Sequence, residues 1–263
     1  MNALWWLDPL LKHEIHYFAF AGSSWQTDCA WYLFSETLPK YHDANRALRL
    51  RDDGRGPRKI LQEVVAVFKQ HRRWPIVIDI DPVAEEQGFL DALLREGALQ
   101  NRSRYPLYAY KATQPPLPPS PQVWVAAVPA YDEEARQIWV ELQICDERTE
   151  EERQFWRAVA EAESRFSGCR LYLAYIEESP VGACDLFSMD GWARIDSVIT
   201  HPEWRRRGVA SALVTRAIAD ALAEGNQLVY LFTEAGGPAE SLYRRLGFER
   251  LHEGPLHRHL LLA

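Results

Sequence analysis

Cysteine and methionine are scarce, long apolar runs are missing, and positive charge is outnumbered. The four cysteines, Cys29, Cys145, Cys169 and Cys184, are far apart and include no Cys-x-x-Cys pair. That pattern excludes a disulfide framework and a zinc ribbon, and reads as reduced, mostly buried thiols in a cytoplasmic protein. With 30 Lys and Arg against 37 Asp and Glu the net charge is −7, so a broad basic face for nucleic acid is disfavoured. No apolar stretch reaches the roughly 20 residues of a membrane span. The start, "ALWWLDPLL", is broken by Asp8 and Pro9 and makes a poor signal peptide. His257 and His259 have no third ligand at metal spacing, so exposed strand histidines are expected and no metal site.

What is present is an ordinary globular composition, 47% hydrophobic and 25% charged over 263 residues. The segment "TQPPLPPSPQ" (113–122) holds five prolines, which neither continue a helix nor donate to a sheet, and reads as a stiff linker. It divides the chain into residues 1–112 and 123–263. After it come a strand at 123–128, helices near 132–144 and 150–165, and strands at 170–178, 181–188 and 193–200. A helix over about 208–224, a buried strand 228–232, a short helix 239–246 and strands near 248–252 and 257–262 complete this half. The expected fold is α/β (α+β), a mixed central sheet flanked by helices. Before the linker, a helix 58–71, strand 75–81, helix 83–96 and strand near 105–111 repeat part of that order, as a diverged internal duplication would.

The stretch "HPEWRRRGVASAL" (201–213) contains a local conflict. Arg205, Arg206 and Arg207 stand at the start of an amphipathic helix, where the dipole and unpaired N–H groups already carry partial positive charge. An anion resolves it, because a phosphate on the N–H groups of residues 206–211 meets dipole and guanidinium together. Gly208 lets the backbone approach closely, and Ala210 is too small to block it. A solvated basic corner with a chance glycine is the bland alternative.

The turn follows a strand and a His-Pro pair, opens a helix, and is followed by a strand and "AESLYRRLGF". Together these residues resemble the GNAT (GCN5-related N-acetyltransferase) superfamily over residues 123–263. The resemblance assigns Arg205, Arg206, Arg207, Gly208, Val209, Ala210 and Ser211 to the pyrophosphate of acetyl-CoA. It aligns Ala239, Leu242, Tyr243, Gly247 and Phe248 with a second family signature. It gives the backbone N–H groups of Val198, Ile199 and Thr200 the thioester carbonyl, and makes Tyr243 a proton donor to the leaving thiolate; packing in the core is Tyr243's other role. Asp196 and Glu234 are the alternatives for a general base, with a water chain as a third. Gly236 stands where the family often has Asn, so only its backbone amide is left to serve the cofactor.

The resemblance implies transfer of an acetyl group from acetyl-CoA to a primary amine. The other class of function is a non-catalytic acyl-CoA sensor or scaffold. The acidic segment 131–156 falls where the family walls its acceptor cleft, and leans toward a cationic small-molecule or peptide amine; solvated helix faces are the more common reason for such charges. No nucleic-acid or membrane partner is expected, and the oligomeric state stays open. "RDDGRGPRK" repeats the pattern as Arg51, Gly54 and Gly56, but Asp52 and Asp53 repel phosphate and Pro57 lacks an N–H. No second CoA site is expected there, only a degenerate GNAT-like half that precedes the catalytic one.

Overall fold

A computed structural model describes residues 6–81, 83–84, 88–97, 99–100, 106–111, 121–129, 132–147, 149–251 and 260–262. Its contacts divide the chain into two units, residues 1–106 with 252–263, and residues 107–251.

In the first unit α1 (Leu7–Tyr17) precedes a meander of β1 (Ser23–Gln26), β2 (Trp31–Phe34) and β3 (Arg46–Leu50). Helix α2 (Pro57–Gln70) then crosses to β4 (Ile76–Ile80), which runs parallel to β3. Helix α3 (Phe89–Arg95) and β5 (Leu99–Gln100) follow. Apolar residues at helical spacing, Ile60, Leu61, Val64 and Phe68, bury the inner face of α2 against Tyr32, Phe34 and the β4 isoleucines. A buried Arg46–Asp79 pair (3.1 Å) lies on β3 and β4, and the Arg46 guanidinium is 4.9 Å from the Phe18 ring.

In the second unit β6 (Leu107–Tyr110) and β7 (Trp124–Ala127) precede α4 (Glu133–Gln143) and α5 (Glu150–Ser164). Asp132 caps α4 through the Ala135 N–H, and Thr149 with Glu152 forms a capping box on α5. The long strands β8 (Cys169–Ile176), β9 (Ser179–Met189) and β10 (Trp192–Thr200) form an antiparallel meander. Then come α6 (Val209–Ala223), β11 (Leu228–Phe232), α7 (Pro238–Arg245) and β12 (Phe248–Arg250). The sheet order is β12-β6-β11-β10-β9-β8-β7, with only β10 and β11 parallel. Period-2 alternation sends Tyr172 and Ala174 to the α6 side, where Leu213, Ala217 and Ile218 meet them, and Leu171 and Leu173 to the α4 and α5 side, against Trp139 and Ala160.

Two strands lie in a different half from the one their sequence position suggests. Residues 107–110 belong to the sheet of the second unit, where β6 pairs antiparallel with both β11 and β12. Conversely β13 (Leu260–Leu262) pairs with β4 and β5 in the sheet of the first unit. All four residues of β6 are buried, so "LYAY" is a central strand, and central strands choose partners by what they bury rather than by nearness in the chain. Most of the proline segment, residues 113–120, and both His257 and His259 lie outside the described residues.

Candidate active site

The site grows from a fault in β10. Its parallel pairing with β11 covers only Trp192–Arg194 against Leu228–Tyr230, after which the two strands part. On the other edge the register against β9 shifts between Asp196 and Ile199, a one-residue bulge with Ser197 at φ 53°. The bulge is pinned on three sides. Ser197 N–H donates to Asp196 Oδ1 (2.9 Å), Gln143 Nε2 donates to the Ser197 carbonyl (2.8 Å), and Ser197 Oγ donates to Glu163 (3.1 Å). A non-glycine residue held at positive φ costs of order 1–3 kcal/mol and persists only where its surroundings over-determine it.

Beyond the bulge, His201 N–H donates to the Val181 carbonyl of β9 (2.9 Å). Alternation from that bond turns the N–H groups of Thr200 and Val198 away from β9, toward the opening beside β11, and turns Ile199 toward β9. Of the three amides expected from sequence, two therefore face the wedge. Ile199 instead has its carbonyl against Gly182, where an added Cβ would lie 2.8 Å from that oxygen and 2.6 Å from Val209 Cγ1. Gly182 is thus the residue that lets the first turn of α6 settle on β9.

The turn into α6 carries Arg206 at φ 63° and Gly208 at φ 84°. Left-handed residues alternating in this way aim successive N–H groups into one concavity. Ala212 N–H, bonded to the Gly208 carbonyl (3.0 Å), is the first to close a helical bond. The six N–H groups from Arg206 to Ser211 have no acceptor among the described residues. The arginines differ from the expected ring of three. Arg205 pairs with Asp146 and reaches the Thr200 carbonyl (3.3 Å), while Arg207 lies 4.8 Å from the Trp204 ring centre. Arg206 is exposed and has no partner among the described residues. Part of the like-charge conflict is therefore relieved within the protein, and the amides carry the stronger signal for an anion.

Tyr243, on α7, is 7% exposed and packs against Phe248 (6.0 Å between ring centres). Burial, with the charges of Asp196 and Cys184 added, pushes its phenol above the usual tyrosine value, so it keeps its proton. Its hydroxyl has no hydrogen bond among the described residues. Asp196 is close enough to Tyr243 to act on its charge, but its oxygens are engaged. Oδ2 accepts from Arg194 Nε (3.0 Å) and Oδ1 from the Ser197 N–H, which makes it a brace for the bulge. Glu234 follows β11 and is exposed, with no side-chain partner among the described residues. Gly236, at φ 77°, gives its N–H to Glu240 Oε2 (2.7 Å), so that amide is already committed. Glu240 also accepts from the Tyr108 hydroxyl and from Arg244 Nε (2.9 Å), and these donors hold its carboxyl down to about 2.

Beneath the bulge lies a set of acids that the sequence pattern did not single out. Asp185 is wholly buried, directly across from Asp196 in the β9–β10 register. Burial first, then the neighbouring Glu163 and Asp196 charges, push its carboxyl well above the usual range, while Arg194 and Ser197 oppose the shift. The acidic run 131–156 is spent largely on local work. Besides the two caps, Glu141 accepts a two-pronged contact from Arg157, and Glu133 pairs with Arg136 and Arg165 (each 3.6 Å). A cleft of about 540 Å³ under α4 and α5 is lined by Glu134, Glu141, Cys145, Arg153 and His201 among others.

The turn before α2 in the first unit is filled from within the chain. Asp52 Oδ1 accepts from the N–H groups of both Gly54 (2.9 Å) and Gly56 (3.0 Å), occupying the place of an anion with the chain's own carboxylate. Strand β3 has its own bulge, with Arg49 at φ 52°, yet pairing resumes at Leu50–Ile80 and Asp81 N–H bonds the Leu50 carbonyl (3.0 Å). Among the described residues these two strands therefore do not part as β10 and β11 do.

Residues 133–248 match the model of the acetyltransferase (GNAT) family. No curated protein is similar to the chain at a significant level. Among solved structures, a GCN5-related N-acetyltransferase from Kribbella flavida superposes with TM-score 0.68 at 20% identity, covering 96% of this chain and 93% of that one. A functionally unknown conserved protein from Staphylococcus epidermidis gives 0.65 at 14% identity, covering 92% and 94%. A tandem GNAT protein from the clavulanic acid biosynthesis pathway gives 0.58 at 17%, covering 82% and 73%. The anion-ready turn, the bulged and parted strands and the matching family model thus agree: residues 133–248 are a GNAT acetyltransferase-family domain, within a chain that has the tandem GNAT fold.

Proposed function

We propose that the second unit transfers an acetyl group from acetyl-CoA to a primary amine by direct attack on the thioester. The observation that carries this reading is the run of six acceptor-free N–H groups at 206–211, set beside strands that part after Arg194 and Tyr230. The diphosphate of the donor fits the first, and a pantetheine arm the second.

In this reading the N–H groups of Val198 and Thr200 take the charge that develops on the thioester oxygen, as preorganised donors do. Tyr243 delivers its proton to the departing sulfur. Glu234, exposed beside the end of β11, receives the proton of the amine directly or through water. Asp196 holds the bulge rather than acting as base. The acceptor is a small-molecule or peptide amine reaching the cleft under α4 and α5, where Glu134, which pairs with no arginine among the described residues, favours a cation; nucleic acid and membrane are not its partners, and its setting is the cytoplasm.

A second reading, an acyl-CoA sensor or scaffold without turnover, is favoured by one observation: Asp196 and the Gly236 amide are both engaged within the fold. Thiol release measured over a panel of primary amines separates the two. Amine-dependent release of CoA supports the transferase; saturable acetyl-CoA binding without release across the panel refutes it in favour of the sensor.

A further inference from the structure

We infer that the first unit holds a separate ligand cavity, which takes a small carboxylate with an apolar body. The cavity, of about 640 Å³, opens between α1 and the β1–β3 meander. That volume is in the range of small-molecule sites, roughly 300–1,000 Å³. Its apolar wall is formed by Leu11, Ile15, Ala30 and Trp31.

The charged groups of the lining are Lys12, Arg49 and Arg51 against Asp8 alone. They sum to +2 in a chain of net charge −7, so the sign is local and not a reflection of composition. Arg51 is exposed, donates to the Asp28 carbonyl (3.3 Å), and has no carboxylate partner among the described residues. Arg49 is fixed from behind by Asp81 (2.7 Å), itself almost wholly buried, while its other partner Asp8 has a side chain that is 85% exposed and easily displaced.

Arg49 is also the residue at φ 52° in the β3 bulge. The apolar wall beside a guanidinium fork fits a carboxylate on a hydrocarbon body; a free phosphate, more strongly hydrated, has nothing to gain from that wall. The ligand is not a CoA thioester, because Asp52 fills the turn and β3 stays paired with β4.

Phenylacetate and its neutral counterpart phenylacetamide share one apolar body and test the idea by isothermal titration on the full chain. Saturable binding of phenylacetate, at least about tenfold tighter than phenylacetamide, is expected, with about a tenfold loss in an Arg51→Gln, Lys12→Gln double variant. Both side chains are exposed, and an unchanged melting temperature confirms folding. Three results overturn the assignment: no saturable binding, equal affinity for the amide, or unchanged affinity in the double variant. Displacement of phenylacetate by acetyl-CoA overturns it too, since that places the carboxylate in the second unit.

Discussion

Removing the two outer arginines of the turn at 206–211 gives a loss that can be worked out in advance. Arg206 and Arg207 are both exposed, so each phosphate contact is a solvent-screened ion pair worth about 1 kcal/mol, at the upper end for surface pairs. Changing both to Gln then costs about 2 kcal/mol, or a roughly 30-fold rise in the acetyl-CoA dissociation constant. Binding survives, because the backbone N–H groups from 206 to 211 are untouched. Arg205 behaves differently: it is paired with Asp146 and must leave that partner to reach a phosphate, so Arg205→Gln weakens binding less than about threefold. Titration calorimetry at low and high salt supplies a second readout. Raising ionic strength from about 0.05 to 0.5 M shortens the screening length several-fold and weakens the wild type more than the double variant. A double variant that binds within about twofold of wild type, or an Arg205→Gln loss larger than that of the pair, refutes the placement of the diphosphate.

Three further outcomes follow from the same geometry. Tyr243→Phe lowers kcat by about 10²-fold with the acetyl-CoA dissociation constant unchanged, and because burial raises the phenol no loss of its proton limits the rate below about pH 10; equal turnover removes Tyr243 from the acid role. Asp185 has a raised folded value, so above the unfolded value of about 3.9 the folded chain holds the extra proton and stability falls as pH rises toward the folded value. Asp185→Asn is free of that titration, so its melting temperature gains on the wild type as pH rises above about 4; parallel curves contradict the burial argument. Asp52→Gly frees the Gly54 and Gly56 amides, yet acetyl-CoA still binds with a stoichiometry of one per chain, because β3 and β4 remain paired; a second equivalent in calorimetry shows that the carboxylate alone closes the first turn.

What the sequence made legible is what depends on neighbours along the chain. The helices near 132–144 and 150–165, the apolar stripe of α6 and the glycine at its start are local signals, and the structure has helices at Glu133–Gln143, Glu150–Ser164 and Val209–Ala223. The hidden features are those created by distant pairing. Nothing in "LYAY" says that it enters the sheet between β11 and β12, and nothing in "LLL" at 260–262 points to β4. Asp196 was legible as a carboxylate on the right strand, but its commitment to Arg194 and the bulge depends on a register shift that no spacing rule foresees. Gln143, Glu163 and Glu240 escaped notice because each acts on a partner many residues away or on a backbone group. Gly182 carries a signal in retrospect: a lone glycine inside a strand pattern marks a close approach, here the first turn of α6.

The two units make the physical requirement for the site visible by contrast. Both have an antiparallel meander, a bulge in its third strand with a non-glycine residue near φ 52–53°, a helix, and a parallel fourth strand. The bulge alone therefore does not part the strands. In the second unit the parallel pair ends before the bulge, leaving the amides of Val198 and Thr200 with no strand to bond, and the helix begins with amides that no side chain caps. In the first unit pairing resumes past the bulge, Asp52 caps the turn, and Pro57 opens the helix without an N–H to offer. Each of these closures satisfies backbone groups internally, as buried or orphaned amides require. The second unit thus leaves backbone groups of the turn and the parted strand without acceptors, where the first unit closes the corresponding groups with its own carboxylate and its own strand pairing.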